Sequence, residues 1–136
     1  MGTLILAVTT LFLYSIGTAL QALSFRGKVH TSNAVITLIG ILALISHGAL
    51  IWETIRAQGA LNLGFFQSAV LIAWLIVALL LALNLRKPVQ NLFLVIYPMA
   101  GLSIIFTLIF SAPPRFISPD NWGLLSHIAL SVTAYS

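Results

Sequence analysis

Four apolar runs of about twenty residues each, cut by short polar links, leave this chain few ways to fold. They cover roughly residues 4–25, 34–54, 63–85 and 89–110, and a fifth apolar run occupies residues 123–136. A helix of about twenty residues rises about 30 Å, enough to cross a hydrocarbon core. Composition points the same way. Of 136 residues 60% are hydrophobic and 6% charged, with a mean hydropathy of +1.12. Six basic and two acidic residues cannot cover the surface of a soluble domain of this length. The expectation is an all-α, polytopic transmembrane helical bundle. It would form a single membrane domain, residues 1–136, with four complete spans plus the start of a fifth.

The first run lacks a basic n-region, exceeds the length of a signal-peptide core and is followed by further spans, so it reads as a retained span. The fifth is too short to cross: Gly123 to Ser136 gives about 21 Å of helix, and a truncated chain is expected. Cysteine is absent, which removes disulfides, thiolate metal sites and a cysteine nucleophile. Net charge of +4 reports orientation here rather than nucleic-acid binding. Arg26, Lys28, Arg86 and Lys87 fall in the first and third links; Arg56 and Arg115 fall in the second and fourth, near Glu53 and Asp120. The positive-inside bias therefore places the first and third links in the cytoplasm and the N-terminus outside.

Small and polar residues at helical spacing mark the faces that turn inward. In the first span these are Thr10, Tyr14, Gly17, Thr18 and Gln21; in the second, Gly40, Ala43 and His47; in the fourth, Tyr97 and Gly101, beside a kink expected at Pro98. Helix packing alone accounts for such stripes.

Of three histidines, His30 sits in a basic loop, while His47 and His127 lie inside spans. An ionisable group within a span is costly and marks a functional site by default. His127, Ser131 and Tyr135 follow one another at i, i+4 and i+8 on one helical stripe. Trp52 and Trp122 are expected at the outer interface, which would set His47 and His127 at a common depth of about 8 Å. Two imidazoles at one depth are able to share a metal or haem iron. Zinc fits less well, because the two carboxylates, Glu53 and Asp120, lie near the boundary, and Glu53 is better placed to pair with Arg56 at i+3. Haem asks for axial histidine and an apolar, aromatic pocket, and Trp52, Trp122, Phe65, Phe66 and Phe116 lie near the same boundary. On the residues alone three readings stay open: a haem or other redox cofactor, hydrogen bonding between helices, and proton or ion translocation. No nucleophile–base–acid set, carboxylate pair or Gly-rich phosphate loop is present, so catalysis of hydrolysis is not expected.

Particular segments add a resemblance. They are Leu44-Ile-Ser-His47-Gly-Ala-Leu-Ile-Trp-Glu53, Leu61-Asn-Leu-Gly-Phe-Phe66, Leu94-Val-Ile-Tyr97-Pro98, and Trp122-Gly-Leu-Leu-Ser-His127-Ile-Ala-Leu-Ser131 through Ala134-Tyr135. Along essentially its whole length the chain resembles the N-terminal half of the cytochrome c assembly membrane family, the CcsA/HemX/YpjD-like proteins. The resemblance implies a bacterial inner-membrane protein of about eight spans that handles haem, with other cytochrome c maturation proteins as partners. It implies that His127 is an outward-facing axial ligand. His47 would be a second ligand or pocket residue, and Trp52, Trp122, Ser131 and Tyr135 would be pocket candidates. The tryptophan-rich haem-handling segment of some members is absent from these 136 residues, so at most half of a haem site is expected here.

Overall fold

The computed structural model describes residues 2–30, 32–59, 62, 64–87, 89–110, 123, 126–127 and 130–131. Four helices account for most of them: α1 (Gly2–Phe25), α2 (Asn33–Gln58), α3 (Phe65–Asn84) and α4 (Gln90–Ile109). All four are long and apolar enough to cross a membrane, so the all-α membrane architecture holds.

The helix ends follow from local chemistry. At the end of α1, Gly27 takes φ 68°, the left-handed conformation that costs glycine least. Its N–H bonds to the Ser24 carbonyl at 3.0 Å, and the Lys28 N–H bonds to Leu23 at 3.0 Å. This paired pattern closes the orphan carbonyls of the last turn. Ser32 starts α2, its Oγ accepting from the Val35 N–H at 3.4 Å. The second helix runs further than the expected end at residue 54. Nothing between Thr54 and Gln58 breaks it, and it stops at Gly59 with φ 70°. The fourth helix continues through Pro98 to Ile109.

The helices run up, down, up and down and form a ring in which α1 packs on α2 and α4, and α3 packs on the same two. The links at 26–32 and 85–89 therefore share one end, called here the basic end. The 59–64 link lies at the other. Apolar side chains such as Phe12, Ile45, Leu79 and Val95 face outward. Between helices in lipid the hydrophobic effect contributes little, and close packing with polar bonds between helices must hold the ring.

Both devices are present. Tyr97 of α4 is fully buried and fills a notch between two glycines. A Cβ on Gly17 would lie 2.8 Å from Tyr97 Cε2, and one on Gly40 would overlap the Tyr97 hydroxyl. On the α2–α3 seam, Trp74 Nε1 donates to the Leu44 carbonyl at 2.9 Å, an approach over Gly48, where a Cβ would come within 3.2 Å of that nitrogen. At the basic end, Asn84 Nδ2 donates to Asn33 Oδ1 at 2.8 Å and to Thr37 Oγ1 at 2.9 Å. Its Oδ1 accepts from the Val89 N–H at 3.3 Å. One buried amide thus ties α2, α3 and the start of α4. On the α3–α4 seam, Thr107 Oγ1 donates to the Phe66 carbonyl at 3.2 Å. The α1–α4 seam carries no side-chain hydrogen bond among the described residues; Tyr97 against Gly17 and Leu11 over Gly101 fill it.

Candidate functional site

The inward stripe of α1 meets that of α2 in a polar layer midway along both helices. Thr10 and Ser46 share a hydrogen bond of 2.7 Å. The Tyr14 hydroxyl and His47 Nδ1 are 2.9 Å apart, their rings edge to face with centroids separated by 5.8 Å. Tyr97 lies against Tyr14 at 5.4 Å and against Phe93 at 4.9 Å. Thr10, His47 and Tyr97 are each 0% exposed, and Tyr14 is 2% exposed.

The bond at Nδ1 fixes the orientation of the imidazole and leaves Nε2 to be accounted for. If Tyr14 donates, the ring proton sits on Nε2; if Nδ1 donates, Nε2 presents a lone pair. In neither tautomer does Nε2 have a hydrogen-bond partner among the described residues, and the same is true of Tyr97 Oη and Gln21 Oε1. With Gln67 Oε1, these make four buried polar atoms, one on each helix, that are exceptions to the usual rule of satisfaction.

The structure separates the two span histidines. His47 is shut inside the ring, whereas His127 is exposed. No contact joins them. His47 stands eleven residues from the end of α2, about 16 Å along the helix. His127 is helical, and Ser131 Oγ donates to its carbonyl at 2.8 Å, so the expected i, i+4 relation holds for that pair. The His127 imidazole has no hydrogen-bond partner among the described residues. Trp52 is 61% exposed, as befits a boundary residue. Trp122, Phe116 and Tyr135, which complete the expected pocket, lie outside the described residues.

Other expectations resolve simply. Glu53 pairs with Arg56 at 3.4 Å, as its i+3 spacing predicts. No cluster of three or more metal-ligating side chains occurs among the described residues. Phe66 stacks on Phe110 with centroids 5.4 Å apart, and Phe65 meets Phe66 edge to face, an aromatic ledge at the end opposite the basic links. Sequence reasoning missed Trp74 and Asn84. Each is a polar-capable side chain in the middle or at the end of an otherwise apolar run, and that is the signal that would have found them.

Comparison of the chain with protein-family models, with curated proteins and with solved structures finds no match. Among the described residues, fold and site define a bundle of four apolar helices with a buried Tyr–His pair and an exposed imidazole at His127.

Proposed function

We propose that this chain belongs to a haem-handling membrane protein of the cytochrome c assembly type, which holds haem through His127 and presents it to a maturation partner. The observation that carries the reading is the exposed imidazole of His127 on an apolar helix, with no competing hydrogen bond among the described residues. An accessible imidazole without a competing bond suits an axial position on haem iron. The family resemblance at Trp122–Ser131 supports the same assignment.

His47 fits a different part. Its ring is closed to a ligand the size of haem, and its Nδ1 is already engaged by Tyr14. In this proposal His47 holds α1 to α2 and so shapes the scaffold behind the haem site. The inner membrane of a bacterium is the proposed location, in keeping with the same resemblance.

The test is haem titration of the purified full chain in detergent, read by the Soret band. Wild-type protein and His47→Phe should both develop the band, the latter at reduced stability, while His127→Ala should lose most of it. No Soret band with wild-type protein under haem excess, or an unchanged band in His127→Ala, would overturn the reading.

A further inference from the structure

The basic end of the bundle carries four exposed cations without an ion-pair partner among the described residues. Arg26, Lys28, Arg86 and Lys87 are all exposed there, and none forms an ion pair; the ion pair of the described residues is Arg56–Glu53, in the second half of α2. The whole chain has two carboxylates, Glu53 and Asp120, and neither belongs to the two links of the basic end. No carboxylate among the described residues pairs with these four cations.

The four are also gathered. Gly17 meets Tyr97 and Leu11 lies over Gly101. Counting antiparallel from those contacts, Phe25 comes level with about residue 88. Arg26 and Lys28 at the end of α1 and Arg86 and Lys87 at the end of α3 thus lie at the same end of the ring. Their backbones are held in closed turns. The Gly27 and Lys28 N–H groups bond back to α1, and the Arg86 and Lys87 N–H groups bond to the Leu83 carbonyl at 3.0 and 2.9 Å. Phe25 and Leu85, 67% and 77% exposed, flank the cations with apolar surface. Basic groups on ordered turns beside exposed apolar side chains match a phosphate above acyl chains.

We propose that the basic end of the bundle binds an anionic phospholipid, its headgroup phosphate held by the exposed cations of the Arg26/Lys28 and Arg86/Lys87 turns. The full chain, purified in detergent, would be incubated with phosphatidylglycerol or phosphatidylcholine and read by native mass spectrometry and by thermal unfolding. Phosphatidylglycerol should be retained preferentially and raise the unfolding temperature, with both effects weakening as salt is added. The variants R26Q/K28Q and R86Q/K87Q should each weaken retention about thirtyfold, while Arg56→Gln leaves it unchanged. Equal retention of the two lipids by wild-type protein would overturn the proposal, as would phosphatidylglycerol retention that neither double variant reduces. The salt dependence of the wild type decides the matter if a variant does not fold, since salt-insensitive retention would equally overturn it.

Discussion

The Tyr14 hydroxyl and His47 Nδ1, 2.9 Å apart, form a side-chain hydrogen bond between α1 and α2 in the interior of the ring, one turn from the Thr10–Ser46 bond. The pair helps explain why a histidine is tolerated in a helix meant for lipid: the ring is turned inward and its Nδ1 is met. Removing one partner leaves the other stranded. Tyr14→Phe should destabilise the bundle by about 1–2 kcal/mol, measured by denaturant-driven unfolding in mixed micelles. A double-mutant cycle with His47→Phe should return a coupling of about 0.6–1.7 kcal/mol. Zero coupling would mean that the bond contributes nothing.

Gly17 and Gly40 both face Tyr97, but they meet different atoms. A Cβ on Gly40 would strike the hydroxyl, and one on Gly17 would strike ring carbons. Gly40→Ala and Gly17→Ala should each cost about 1–3 kcal/mol by overpacking. Tyr97→Phe should restore part of the stability of Gly40→Ala, where Leu81 Cδ2 would still lie 2.7 Å from the new Cβ, and little of that of Gly17→Ala. Thermal unfolding of the two singles and two doubles checks this; equal rescue would contradict the geometry.

Tyr97→Phe alone should be neutral or slightly stabilising. The hydroxyl is buried with no hydrogen-bond partner among the described residues, and deleting an unsatisfied polar group removes a desolvation cost. A loss of more than about 1 kcal/mol would show that the hydroxyl has a partner in the membrane.

Much of this interior is legible in the sequence. Thr10, Tyr14, Gly17 and Gln21 recur at helical spacing, as do Gly40, Ala43 and His47, and all seven are buried. Spacing reveals which side of a helix faces inward, because small and polar residues avoid lipid. It does not reveal how far one helix slides along another. The Tyr14–His47 pairing therefore needed the structure, and so did the separation of His47 from His127. Trp74 was hidden for another reason. Tryptophan is expected at a membrane boundary, whereas here it is drawn to mid-helix by the Leu44 carbonyl left reachable at Gly48.

Asn84 should be the most sensitive position at the basic end. Asn84→Leu keeps the branched shape but drops bonds to Asn33, Thr37 and the Val89 N–H, and should cost about 1–3 kcal/mol. Amide exchange should accelerate first in the 85–89 link and the start of α4. Uniform acceleration through the ring would argue against a local clasp.

Glu53 and Arg56 provide a contrast. Their side chains are 42% and 65% exposed, and an exposed pair of this kind contributes little. Glu53→Gln should change stability by less than about 0.5 kcal/mol, and thermal unfolding would detect anything larger.

The Tyr97 notch also bears on the order in which the molecule can be built. Its two walls, Gly17 and Gly40, belong to α1 and α2, which leave the ribosome before α4, the helix that carries the side chain occupying it. The receiving surface is therefore complete before its occupant has been synthesised. Closing the ring is a docking step onto a finished template, and a defect in the hairpin leaves the newest helix without a place to settle.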